Sequence, residues 1–402
     1  MGQAKREWEE AEERGWTAPD KFVCRSCVDD EFLKRLIFRS RTRMRCDYCS
    51  GRGKAAPVES LMDAISSALL NEFNDFERAG CPYDSEMPEI ATDSTEDALA
   101  SIPLECNEYL FEDIARAFLN DQWVRAPGGW WAGSHTHDDL KWSWEGFARA
   151  VKHQTRFHFV NPRVTSTPDP GQVSVAEFLP MLGSLIERHK LLHVLPAKTK
   201  VYRVRLREAG ATWAIDSSEL GAPPPGKTRA GRMNPAGIAY LYTAFSQGTA
   251  VAETVSRPPL TVVTASYVVS EDITILDLSK LQPIPSPFDA LKKRESDELI
   301  FLENFVSDIK QPVQKDGSEH IDYVPTQVIC EYFAQAFTPS HGVSVKVAGI
   351  KYPSAVNPGH SNLVLFPRND DYRNPFGHVK YEDAKTLKFS TWAELINYLH
   401  HY

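Results

Sequence analysis

Two Cys-x-x-Cys pairs, Cys24/Cys27 and Cys46/Cys49, separated by eighteen residues, restrict this chain more than any other local pattern. That spacing belongs to a zinc ribbon or treble-clef-like knuckle. Each pair turns two thiolates toward one ion, and two pairs complete a closed tetrahedron with no position left for water. The expected metal is therefore a structural zinc held by Cys24, Cys27, Cys46 and Cys49. Cys81, Cys106 and Cys330 are isolated and read as structural residues.

The rest of the composition narrows the class. No apolar run approaches the roughly 18 to 20 residues of a membrane span, and the first twenty residues lack the apolar centre of a signal peptide. A cytoplasmic chain with no membrane partner is expected. At 402 residues and 42% hydrophobic, it is long enough to bury a core in two or three domains without disulfides. A net charge of 45 − 54 = −9 argues against wholesale nucleic-acid binding, yet the average hides a contrast. Residues 21 to 56 carry ten Lys/Arg against four Asp/Glu, whereas residues 57 to 121 carry sixteen Asp/Glu against two Arg. The basic module can meet either the acidic stretch or an outside polyanion.

Periodicity divides the remainder. Val58, Leu61, Met62, Ile65, Leu69, Phe73 and Phe76 predict an amphipathic helix ended by Gly80 and Pro82. An acidic loop over 81 to 105 and a second helix over 108 to 122 follow. Trp123, Trp130, Trp131, Trp142 and Trp144 read as bulky core of a small helical domain, and His135 and His137 as loop residues. Helical spacing resumes at Trp144, Phe147 and Val151, then, past a turn-rich linker, from Ser174 to His189. From Pro196 the pattern changes to short β-branched runs separated by helices: KVYRVRL, IAYLYTA, LTVVTASYVV, ITILDL, VKVAGIKY and NLVLF. The expected fold class is α+β, with a knuckle at 1–56, a helical domain at 57–195 and a mixed α/β domain at 196–402.

In the run from Lys200 to Leu206, alternation assigns Tyr202, Val204 and Leu206 to a core face and Arg203 and Arg205 to a cationic one. The loop Ala230 to Gly237 lets backbone approach a ligand, and Ser246 is placed to cap a helix carrying Glu253. Pro325 suits the first turn of another helix, and Tyr352-Pro-Ser354 ends a strand in a turn.

Taken in order, Tyr202-Arg203, Gly231-Arg-x-Asn-Pro-x-Gly237, Tyr242-Thr243, Ala250-x-Ala-Glu253, Pro325-Thr-Gln327 and Tyr352-Pro-Ser354 resemble the RES domain over roughly 196–375. The resemblance implies an ADP-ribosyltransferase-like fold in a toxin-type enzyme that cleaves the bond between nicotinamide and ribose in NAD. Met233 stands where the family usually has an aromatic residue. The upstream half resembles the HEPN-like extensions of some RES proteins, but the Arg149/His153 spacing is too short for the HEPN nuclease motif, so no ribonuclease activity is expected.

NAD as a substrate suits the residue types. Arg203 can fork onto the pyrophosphate, and Tyr242 can stack on the nicotinamide. Glu253 can steady the oxocarbenium-like ribose, and Ser354 can bond phosphate or ribose. Arg232 and Asn234 are expected to support the phosphate loop and Gln327 to orient a nucleotide contact, all three as part of the cofactor-binding set. The products are those of an NAD glycohydrolase or, with phosphate as acceptor, a phosphorylase. An ADP-ribosyltransferase acting on a macromolecule, or a zinc-ribbon nucleic-acid binder with an inactive RES domain, are the alternatives. A protein inhibitor or antitoxin is a possible partner, and the attached amino-terminal half can replace one.

Overall fold

The computed structural model describes residues 3–49, 51, 53–81, 90–126, 135–158, 169, 171–255, 257–311, 317–339, 345–368, 371 and 373–401. Pro82, Trp130, Trp131 and most of the linker before Ser174 lie outside them. The chain divides into two compact units, Met1–Asp139 with Pro283–Ile300, and Leu140–Gln282 with Phe301–Tyr402. The junctions of these units fall at 139/140, 282/283 and 300/301; the limits expected from composition and periodicity are 56/57 and 195/196.

In the first unit, helices α1 (Gln3–Arg14), α2 (Glu31–Ser40), α3 (Glu59–Glu72), α4 (Thr95–Ser101) and α5 (Glu108–Ala117) surround one core. Asp30, Ser94 and Asn107 cap α2, α4 and α5 by accepting hydrogen bonds from first-turn amides, which satisfies donors that no helix can satisfy internally. The stripe Leu61, Met62, Ile65 and Leu69 is fully buried. It packs in one cluster with Leu33 and Ile37 of α2, with Leu110 and Ile114 of α5, and with Cys24, Cys27 and Cys46. The cysteine segment thus shares its core with the helices that follow it, which is why no boundary separates them.

Two helices are shorter than their periodicity suggests. The helix α3 stops at Glu72 because β3 (Asn74–Asp75) pairs antiparallel with β4 (Trp123–Val124). The helix α5 stops at Ala117, where Phe118 instead bridges Trp16. In both cases tertiary pairing overrides a pattern that local spacing would continue. The histidines also differ from expectation. Helix α6 (Thr136–His153) begins early enough to hold His137 in its first turn, where Nδ1 lies 2.9 Å from Asp297 Oδ1, and His135 Nε2 lies 3.4 Å from Glu72. His137 is therefore a helix residue, whereas His135 precedes the helix as a loop residue, and both side chains are anchored. Trp123 and Trp144 are core as expected, while Trp142 is exposed.

The second unit is built on one eight-stranded sheet. Its strands are β5 (Leu192–Leu195), β6 (Lys200–Leu206), β7 (Leu241–Ala244), β8 (Leu260–Val269), β9 (Ile273–Asp277), β10 (Val347–Pro353), β11 (Ser361–Leu365) and β12 (Val379–Phe389). They lie in the order β12-β8-β6-β7-β11-β10-β9-β5, with β9 and β10 parallel and every other neighbour antiparallel. The two faces obey the period of two. Val364 and Leu276 enter a core with Trp144, Phe147 and α7 (Phe178–Arg188), whereas Leu363, Leu365 and Ile275 enter a second with Val201 and Val263. Helix α9 (Gln247–Thr254), capped by Ser246, covers part of the sheet with α13 (Trp392–His401), burying Val251, Val262, Phe389 and Leu395.

β5, β12 and α13 escaped the sequence reading. β12 pairs only with β8, at the sheet edge, so most of its residues stay exposed or half-exposed and no apolar run marks it. The assignment of faces in β6 is corrected too. Val201, on the same side as Arg203, is fully buried, while Leu206 is 42% exposed, so the arginine face is no open cationic surface.

Candidate active site

The sheet opens between β6 and β7. β6 pairs along seven residues with β8 but shares a single pair, Tyr202 with Ala244, with β7. Arg203 occupies the opening. Its guanidinium donates to the Tyr242 carbonyl at 3.2 Å, while its Nε is buried with no hydrogen-bond partner. Desolvation lowers the pKa of this guanidinium, yet it stays charged, since arginine does not deprotonate in proteins. A half-buried cation whose buried Nε donor is unanswered is a receptor for an anion.

Around it lies a cavity of about 390 Å³ lined by Tyr202, Arg203, Arg232, Tyr242, Glu253, Tyr323, Tyr352 and Asn362, among others. Two guanidiniums and one carboxylate therefore face a common space. Glu253, at the end of α9, is solvent-exposed but held: Ser354 Oγ donates at 2.7 Å and Asn362 Nδ2 at 2.6 Å, both to Oε1. Oε2 carries no hydrogen bond among the described residues, so one oxygen is anchored and the other is available. Burial pushes the phenols of Tyr242 and Tyr352 well above the ordinary tyrosine range, which keeps both protonated.

A second layer fixes these groups. The Tyr242 hydroxyl donates to Asn234 Oδ1 at 2.8 Å and accepts from the Met233 amide at 3.0 Å. Asn234 Nδ2 reaches the carbonyls of Arg229, Pro235 and Ile238, each at 3.0 Å. Gly231 must lack a side chain, because a Cβ there would sit 2.6 Å from Asn234 Oδ1 and 2.8 Å from the Tyr242 hydroxyl. Helix α12 (Val324–Glu331) grips the same loop through Gln327 Nε2 to the Gly231 carbonyl and Thr326 Oγ1 to that of Arg232. Arg232 itself donates to the Lys310 carbonyl at 2.8 Å.

The expected site residues thus separate into two groups. Arg203, Arg232, Tyr242 and Glu253 line the cavity; Asn234, Gln327 and Ser354 do not. Ser354 donates to Glu253 and accepts from the Val356 and Asn357 amides, which uses all the capacity of a hydroxyl. Met233 is buried against Cys330, so that departure from the family pattern lies in the core and not in the cavity. Of the other lining residues, Tyr352 had no expected role beyond its place in the Tyr352-Pro-Ser354 fragment, and Asn362 and Tyr323 had none at all. For Asn362 a signal existed, since an amide inside the apolar run Ser361–Leu365 must find a partner. A larger cavity of about 580 Å³ elsewhere in the unit has its Arg368 paired with Glu271 at 2.9 Å and offers no comparable unpaired cation beside a held carboxylate.

The four cysteines form a second site. Sγ distances are 3.8 Å for Cys24–Cys27, 3.5 Å for Cys24–Cys49 and 3.7 Å for Cys27–Cys46, with all four within 4.8 Å of one another. Metal–sulfur bonds of about 2.3 Å in a tetrahedron put sulfurs about 3.8 Å apart, so the arrangement fits one ion. Burial pushes the Cys24 and Cys27 thiols up, whereas the Gly51 amide holds Cys49 down. Amides of Tyr48 and Gly51 donate to Cys46 and Cys49. Four thiols this close can ionise together only around a cation.

Comparison with protein families finds HEPN/RES N-terminal domain 1 over residues 39–164 and the RES domain over residues 200–383. No curated protein matches the chain. Among the described residues no helix is long and apolar enough to cross a membrane.

Proposed function

This chain carries a RES domain behind a HEPN/RES N-terminal domain 1, and because RES domains are associated with NAD-related toxin activity, we propose that it cleaves the nicotinamide–ribose bond of NAD. The observation that carries this reading is the shared cavity in which Arg203, with an unpaired buried Nε, faces the same space as Glu253. Arg203 and Arg232 supply positive charge for the pyrophosphate. The Tyr242 ring lines the wall against which nicotinamide stacks. Glu253, anchored through Oε1, turns Oε2 to the ribose as positive charge develops there. The C1′–N bond breaks with its electron pair leaving on neutral nicotinamide. An acceptor oxygen then bonds C1′, releasing a proton when water is the acceptor.

Water makes the enzyme a glycohydrolase, inorganic phosphate a phosphorylase, and a protein or nucleic-acid group a transferase. Loss of NAD from purified protein, with and without phosphate, using label in the ADP-ribosyl part, distinguishes the three. Free ADP-ribose supports hydrolysis, the 1″-phosphate supports phosphorolysis, and macromolecule-bound label supports transfer. Intact NAD under all conditions overturns the reading. In this scheme the protein acts in the cytoplasm as a toxin or defence effector, restrained by a protein inhibitor or by its own amino-terminal half. The cysteine cluster holds a structural zinc, for which the closed four-sulfur donor set is the support.

A further inference from the structure

The basic segment beside the cysteine cluster takes no part in the NAD site. Residues 38 to 45, FRSRTRMR, are exposed without a break. Arg39, Arg41, Arg43 and Arg45, with exposed Arg25 and Arg35 nearby in sequence, have no ion pair among the described residues. The two acidic side chains closest in sequence are engaged elsewhere: Glu31 with Lys34 at 3.0 Å, and Asp47 with the Phe22 amide at 2.7 Å. Arg39, Arg41, Arg43 and Arg45 thus set four guanidiniums within seven residues of a chain whose net charge is −9, with no acidic residue among those seven.

The segment is also ordered and aromatic. Thr42 N donates to the Ala55 carbonyl at 2.8 Å and Ala55 N to that of Met44 at 3.2 Å, so the arginines project from a tethered loop. Phe38 is 51% exposed and Met44 52%. The Arg41 guanidinium lies 3.5 Å from the Phe38 ring centroid, and that of Arg25 lies 6.0 Å away. A solvent-facing ring flanked by guanidinium planes offers stacking surface for a base and charge for the adjoining phosphates. A duplex hides its base faces, and a lipid headgroup has none; an unpaired strand presents both features at once.

We propose that this face, centred on Phe38 with Arg39, Arg41, Arg43 and Arg45, binds single-stranded nucleic acid. The site is independent of the NAD reading and stands or falls without it. The test is fluorescence anisotropy of the full chain with a labelled single-stranded RNA of about twelve nucleotides over a range of salt. A duplex of equal length and vesicles containing anionic lipid serve as competitors. The expected result is binding that weakens with salt, with competition by neither at equal charge. The triple variant R39A/R41A/R43A should bind at least tenfold more weakly near 0.1 M salt, with a log–log salt slope smaller by about 2. Phe38→Ala should lose roughly tenfold with the slope unchanged, because stacking releases no counterions. Circular dichroism and melting temperature of each variant establish that it remains folded. Absence of binding at low salt, wild-type affinity in a folded triple variant, or preference for duplex or vesicles overturns the proposal.

Discussion

Glu253 depends on Ser354 and Asn362, whose hydrogen bonds both end on one of its oxygens. Removing the carboxylate charge should therefore differ in kind from loosening it. Glu253→Gln is expected to lower kcat for NAD cleavage by about 10²- to 10³-fold, the usual effect of losing one transition-state electrostatic contact, with the melting temperature unchanged. Ser354→Ala should cost less, about tenfold, chiefly in kcat, because Asn362 still holds Oε1. Steady-state kinetics on both variants decide the point, and equal losses would show Ser354 to act directly. Arg203→Lys should raise KM well above its effect on kcat, since an ammonium cannot fork onto a pyrophosphate. A further residue-level expectation concerns His137. Its hydrogen bond to Asp297 raises its pKa above the ordinary histidine value, so its stabilising contribution is full below the unfolded value and lost as pH rises through the folded one. The melting-temperature gap between wild type and His137→Ala should thus be wider at pH 5.5 than at pH 9.

Among elements, the cysteine segment and α2, α3 and α5 share one core, since Cys24, Cys27 and Cys46 belong to the same buried cluster as Leu33, Ile65 and Leu110. Chelation of the proposed zinc should consequently melt the helices of the first unit and not merely fray a loop. Loss of helical circular dichroism on adding a strong chelator, restored by zinc, checks this. Unchanged helicity would make the cluster dispensable. The elements of the second unit show how legible the fold was. LTVVTASYVV and KVYRVRL coincide with β8 and β6 because runs rich in β-branched residues announce themselves. β12 stays hidden, since a one-sided edge strand needs few apolar residues. Helix lengths in the first unit were overestimated where strand pairing at Asn74 and a bridge at Phe118 ended them.

For the whole molecule, the boundary matters most. A fragment starting at Pro196 begins after the helices that supply Trp144, Phe147, Phe178, Leu182 and Ile186 to the core beneath the sheet. Burying each such side chain is worth about 1.5 to 3 kcal/mol, more than most domains can lose five times over. The fragment 196–402 is therefore expected to lack a cooperative melt, measured by circular dichroism, and its toxicity is no test of restraint by the amino-terminal half. A cooperative transition matching that of the full chain would refute this account.

Local chemistry was legible from residue order alone: the cysteine spacing, the cap at Ser246, the strongest strands, and the ordered fragments that resemble the RES domain. These depend on neighbours a few positions apart, which a linear reading can see. Which groups share the cavity depended on the folded chain. Glu253 meets Ser354 across 101 positions and Asn362 across 109, and only the splay of β6 from β7 leaves Arg203 half-buried with a free Nε. The expected support of the phosphate loop by Asn234 takes the form of hydrogen bonds to its carbonyls, while the side-chain hydrogen bonds of Gln327 and Ser354 run to Gly231 and Glu253. Spacing indicates that a polar side chain needs a partner, but long-range packing selects that partner.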